Sequence, residues 1–96
     1  MTSKQRAFLK GLAMKEESIF QIGKSSVTPE IVTAVSEALE ARELVKITVL
    51  KNCMDDCREV AETLAGRTES QVVQVIGRKI VLFRQNSKKP GIVLPK

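Results

Sequence analysis

The residues best placed to do chemistry lie in "FQIGKSSVTPE", residues 20–30, where a glycine, a lysine and two serines separate an apolar run from a helix start. Three readings fit such a stretch: a nucleotide-phosphate loop, a clamp on a nucleic-acid backbone, or a polar turn. A Gly-x-x-x-x-Gly-Lys-Ser/Thr loop needs a glycine five positions before its Gly-Lys pair, so that the backbone can wrap the phosphates. Ser18 stands there instead, and the next strand ends in Leu50-Lys51, with no aspartate where magnesium would be held. Nucleotide hydrolysis is therefore disfavoured. A backbone clamp asks for less. It needs free N–H groups in a glycine-bearing turn at a helix N-terminus, whose dipole favours an anion, with Lys24 beside them as a mobile positive charge. A plain turn with good caps accounts for the same residues, and at this stage both readings stay open.

The other reactive groups are thiols. Cys53 and Cys57 lie four apart at the start of an expected helix. Without histidine or a second cysteine pair they do not make a structural zinc site. Cys57 falls on an apolar stripe and reads as a core thiol, whereas Cys53 near a helix N-terminus is the one whose pKa could be lowered. The chain has no histidine, tyrosine or tryptophan, which removes the usual general base near neutral pH. The expectation is a protein that is not an enzyme and that uses no metal and no cofactor. The three phenylalanines do not form a base-stacking platform: Phe83 is alone on its strand, and Phe8 and Phe20 read as core.

The elements that must position the loop follow from periodicity. Thr2 and Gln5 have capping-box spacing, which predicts a helix from about residue 3. Phe8, Leu9 and Leu12 form its apolar stripe, with Arg6 and Lys10 on the opposite face. Ile19, Phe20 and Ile22 predict a short strand ended by Gly23. Thr28-Pro29 then starts a helix whose buried side carries Ile31, Val32, Val35, Ala38 and Leu39. "ELVKITVL", residues 43–50, alternates as a strand, with Val45, Ile47 and Val49 on one face and Lys46 and Thr48 on the other. Asn52 or Asp55 is expected to cap a third helix built on Cys57, Val60, Ala61 and Leu64, with Gly66 as its stop. "QVVQVIGRKIVLFR", residues 71–84, reads as a hairpin turning at Gly77-Arg78, with Val73, Val75, Ile80 and Leu82 on one face and Arg78 and Lys79 at an exposed tip. The order α-β-α-β-α-β-β predicts an α/β (α+β) single domain with a partly parallel, mixed sheet. The expected domain is residues 1–96, with a core at 3–84 and a loosely held tail at 85–96 in which Ile92 to Leu94 pack back.

Charge is distributed unevenly. Residues 1–15 carry Lys4, Arg6, Lys10 and Lys15 and no acid. All 11 acids fall in residues 16–70, against six bases there, and residues 71–96 carry six bases and no acid. Cationic ends that meet in space would favour a polyanion. No apolar run is long enough to span a membrane and no secretory signal pattern is present. Two cysteines one helical turn apart do not form a secreted disulfide framework, so the cytoplasm is the expected compartment.

Several motifs in order resemble the bacterial YhbY-type proteins built from a single CRM (chloroplast RNA splicing and ribosome maturation) domain. They are "SKQRAFLKGLA", "IFQIGKSSVTPEIV", "ALEARELVKITVL", "VVQVIGRKIVLFR" and the closing "LPK". The resemblance covers Ser3 to Lys96. It implies a four-stranded mixed sheet packed with helices, similar to the C-terminal domain of translation initiation factor three. It also implies binding of ribosomal RNA or its precursor during assembly of the large subunit. The family's Gly-x-x-Gly loop corresponds to Gly23, Lys24, Ser25 and Ser26, and its basic first helix to Lys4, Arg6 and Lys10, with Arg78 and Lys79 extending the surface. Ser26 stands where the family has glycine. If that position needs positive φ, serine costs on the order of 1 kcal/mol; a loop that bends differently would instead let the two hydroxyls donate to phosphate. The implied partners are RNA and the pre-ribosomal particle, with the chain a monomer. A protein-interaction module on that particle, using acidic helix faces, is the alternative.

Overall fold

The structure, a computed structural model, describes residues 1–86, 88 and 90–95. Its order is α1 (Ser3–Ala13), β1 (Phe20–Ile22), α2 (Pro29–Arg42), β2 (Leu44–Val49), α3 (Cys57–Thr68), β3 (Gln71–Ile76) and β4 (Lys79–Phe83). The four strands form one sheet in the order β1-β2-β4-β3. β1 runs parallel to β2; β4 is antiparallel to both β2 and β3. The predicted fold class and element order are thus those observed.

Each helix starts where its cap dictates. At α1 the capping box forms: Gln5 N–H donates to Thr2 Oγ1, and Thr2 N–H to Gln5 Oε1. Thr28 caps α2 with Pro29 in its first turn, where a missing N–H costs nothing. The caps of α3 differ from expectation. Asp56, not Asn52 or Asp55, accepts from Arg58 N–H, and Cys57 is the first helical residue. Gly66 lies inside the helix and does not stop it. Thr68 is buried beyond it, and the chain turns at Glu69 in the left-handed region (φ 54°). Burial of Thr68, whose hydroxyl donates to Leu64 O at 2.7 Å, offsets the modest penalty of a glycine in a helix.

Two apolar layers enclose the sheet. On one face Val45, Ile47, Val49, Ile80 and Leu82 pack against Val35 and Leu39 of α2 and Val60 and Leu64 of α3. On the other, Leu44, Val73, Val81 and Phe83 pack against Leu9 and Ala13 of α1, with Leu12, Ile92 and Leu94 at the margin. β4 is covered on both faces, which is why Ile80 to Phe83 read as an unbroken apolar run. Phe8, expected in the core, is 40% exposed.

Val73 also departs from expectation. The hairpin does turn at Gly77-Arg78, with Ile76 opposite Lys79 and Gly77 at φ 56°. However, the register shifts between Val72 and Gln74. The extra residue of this bulge turns Val73 to the α1 face, and Val72 takes the place expected for it beside Leu82. Strict alternation, the basis of the expectation, fails at a bulge.

The tail is held by one carboxylate. Glu43, at φ 67° after α2, accepts N–H bonds from Asn86 (2.6 Å), Gly91 (2.8 Å) and Ile92 (2.7 Å). Burial raises its pKa, but the three backbone donors outweigh that and hold it below the ordinary carboxylate value. Glu43 thereby seats Ile92 and Leu94 against α1, and Gln5 Nε2 donates to Pro95 O at 3.1 Å.

Candidate nucleic-acid interface

β1 ends at the buried Ile22, whose carbonyl accepts from Leu50 N–H at 2.8 Å. The next four residues close a turn: Ser26 N–H donates to Gly23 O at 2.9 Å, with Lys24 and Ser25 exposed at its corners. Ser26 lies in the left-handed region at φ 54°, so the position does require the conformation that glycine adopts most cheaply. Its hydroxyl donates to Asp55 Oδ2. That bond commits the Ser26 hydroxyl to protein and leaves Ser25 as the serine on the open corner. Gly23 meets the 50–56 segment closely, since a β-carbon there would stand 3.2 Å from Asn52 Oδ1. The turn is thus pinned by Leu50, Asn52 and Asp55, while Lys24 has no acid within ion-pair distance among the described residues.

The hairpin tip joins this end of the sheet. Val49 N–H donates to Arg78 O at 2.7 Å, and Arg78 Nη1 donates to Leu50 O at 3.1 Å. Lys79 Nζ donates to Thr48 Oγ1 at 2.7 Å, Thr48 donates on to Ser18 Oγ at 2.7 Å, and Ser18 to Phe20 O at 3.2 Å. Arg78 and Lys79 are exposed, as expected, yet each is anchored to the strand beside β1. Gly23 to Ser26, Arg78 and Lys79 therefore share one end of the molecule.

The basic first helix does not join them directly. Arg6, expected on the solvent face, is half-buried, and its Nη1 donates to Val72 O (2.7 Å) and Val73 O (2.8 Å). Those carbonyls belong to the bulge, and α1 supplies the donor that the bulge leaves wanting. Lys10 lines the same hollow, beside Val75 and Ile76, and Lys4 is exposed. This is the β3 edge, whereas the turn leaves the β1 edge, three strand spacings or about 14 Å away. The termini do meet, through Gln5, Ile92 and Leu94, but not beside the turn. Lys89 and Lys96, counted with the cationic C-terminal end, lie outside the described residues.

Two other expectations change. Cys53 precedes α3 by four residues and is buried in the core; Cys57 is half-buried against the same cluster, and both thiols are free. Arg84, one of the C-terminal cations, is a brace. Its guanidinium donates to Ser36 O and Oγ and to Thr68 O, and pairs with Glu40 at 3.4 Å. Sequence reasoning missed Asp55 and Thr48, whose partners lie 29 and 30 residues away. The offset of Thr48 on the face opposite Val45 and Ile47 was the only local signal for either.

Charge separates by layer. Apart from Glu16, Glu17 and the buried Glu43, every acid lies on α2, on α3, at their ends or in the turn entering α3. The opposite side carries Lys4, Arg6, Lys10, Lys46 and Lys79 without an acid on α1 or on any strand.

The pattern of the CRS1 / YhbY (CRM) domain matches residues 1–84. The Bacillus subtilis protein named "Probable RNA-binding protein YqeI" is 44% identical over 95 residues, covering 99% of each chain. A Haemophilus influenzae protein named "RNA-binding protein" is 29% identical over 96 residues, 100% of this chain and 96% of that one. The solution structure of SAV1595 from Staphylococcus aureus superposes with a TM-score of 0.83 at 43% identity, over 99% of both chains. Sequence pattern, overall identity and fold agree, and the chain belongs to the CRS1 / YhbY (CRM) domain family.

Proposed function

We propose that this chain binds RNA without catalysing a reaction on it, and that its RNA is large-subunit ribosomal RNA or a precursor met during ribosome assembly in the cytoplasm. The observation that carries the reading is the pinned turn at Gly23–Ser26. Its exposed Lys24 and Ser25 are presented beside Arg78 and Lys79 at one end of the sheet. A pinned turn beside cations that form no ion pair among the described residues suits phosphate contacts that position a backbone without reading bases. The RNA-binding names of the full-length relatives support the same assignment. The chain acts as a monomer on the pre-ribosomal particle. Crosslinking in cells followed by sequencing of the attached RNA tests this: large-subunit ribosomal RNA is the expected catch, and recovery of no RNA contradicts it.

The exposed acids of α2 and α3, among them Glu30, Glu37, Asp56, Glu59 and Glu62, favour a second reading: a contact with a basic ribosomal protein on the particle. Replacing Lys24 and Lys79 by alanine separates the two, since a protein contact on the acidic layer survives it and an RNA contact at the turn does not.

A further inference from the structure

The turn and the basic helix stand at opposite sheet edges, and one row of side chains runs between them. Gln21 is opposite Thr48, Thr48 opposite Lys79, and Lys79 opposite Ile76. Cross-strand neighbours share a face, and this is the face that carries α1, because Val45, Ile47 and Val49 point to the other. α1 leaves the row uncovered: Gln21 and Lys79 are exposed and the Ile76 side chain is 60% exposed. At one end Gln21 lies two residues before Gly23. At the other, Ile76 lines the hollow that Lys10 shares.

Resting on the RNA-binding reading above, we propose that this row is a track for a single-stranded RNA segment, which leaves the Gly23–Ser26 turn, crosses the sheet and reaches Lys10. The chemistry of the row selects that occupant. None of its four residues is acidic, and cations stand at both ends and in the middle, as Lys24, Lys79 and Lys10; the one acid lining the Lys10 hollow, Glu62, is set among Arg6, Lys10 and Arg58. Lys79 meets a phosphate, and Thr48 positions it through the 2.7 Å bond to its ammonium. The Gln21 amide offers a donor and an acceptor to a base edge. Ile76 is a large apolar side chain set among cations, a place for the face of an unpaired base. A duplex, with its bases stacked inside, would leave Ile76 and Gln21 unused. The row spans about 14 Å, comparable with four-stranded RNA-binding sheets on which two or three bases lie. Such sheets usually stack bases on aromatic side chains; here the apolar contact comes from one isoleucine, so affinity leans more on charge.

The test uses the full chain, a labelled single-stranded RNA oligonucleotide and a labelled blunt-ended RNA duplex, read by fluorescence anisotropy. The double variant Gln21→Ala with Ile76→Ser changes two exposed side chains, and its thermal unfolding curve checks that it folds. Expected is a loss of about tenfold on the single strand, less than twofold on the duplex, and an unchanged salt slope. Lys24→Ala is expected to weaken both probes. Wild-type affinity of the double variant for the single strand, or an equal loss on both probes, overturns the track. Failure of the wild-type chain to bind either probe overturns the RNA-binding reading itself, so the two failures are distinguishable.

Discussion

Ser26, held in the left-handed region at φ 54°, donates its hydroxyl to Asp55, and so a carboxylate stands directly beside the turn proposed to contact RNA. The bond stabilises a conformation that serine adopts reluctantly. It also places negative charge where phosphate is to approach. Asp55→Asn keeps an acceptor for the hydroxyl and removes the charge. It should strengthen RNA binding about two- to fivefold at low salt, with the gain shrinking as salt screens the interaction. Anisotropy titrations at two ionic strengths measure this; equal affinity for Asp55→Asn and wild type at low salt contradicts it.

The same pair predicts an order of stabilities. Ser26→Ala keeps the left-handed strain and loses the charged hydrogen bond, a cost of about 1.5–3 kcal/mol. Ser26→Gly loses the bond but relieves about 1 kcal/mol of backbone strain, so it should unfold at a urea concentration between those of wild type and Ser26→Ala.

Arg6 was legible as a cation and illegible as a strut. Its spacing with Lys10 placed it on the polar side of α1, and nothing local announced the bulge at Val72–Gln74 that it satisfies. Arg6→Ala should cost about 2–3 kcal/mol by leaving two half-buried carbonyls without a donor, and Arg6→Lys should restore only part, since an ammonium cannot match the guanidinium's fork. The dependence of RNA affinity on salt should barely change in either variant, whereas loss of a true phosphate contact at Lys24 should lower the slope by about 0.7 for a single strand.

Glu43 predicts how the tail responds to acid. Its folded pKa lies below the ordinary 4.5, so its contribution to stability is fully present above that value and is lost as pH falls through the lowered folded pKa. The amide signals of Gly91 and Ile92 should shift together in that acidic window and stay constant between pH 6 and 8. In Glu43→Gln they should show no such titration and should exchange faster at neutral pH.

Patterns with local causes were readable from the sequence. The Thr2–Gln5 capping box, the Thr28-Pro29 start, the alternation of Val45, Ile47 and Val49 and the Gly77-Arg78 turn all stand as expected. Readings that needed partners distant in sequence were lost. Gly66 looked like a stop because the burial of Thr68 beyond it was invisible, and Val73 changed face because a bulge has no period. The turn itself was found from Gly23 and Lys24. Its relation to α1 was not, because the order β1-β2-β4-β3, which sends the turn and Arg6 to opposite edges, is a property of topology and not of either segment.

The most direct test of the central claim is to follow the backbone amide signals of the isotopically labelled chain while unlabelled RNA is added. Perturbations are predicted at Gly23 to Ser26 and at Arg78 and Lys79, extending to Gln21 and Ile76 with a single strand, while the exposed faces of α2 and α3 stay unmoved. Perturbations confined to α2 and α3, with the turn silent, would contradict the account.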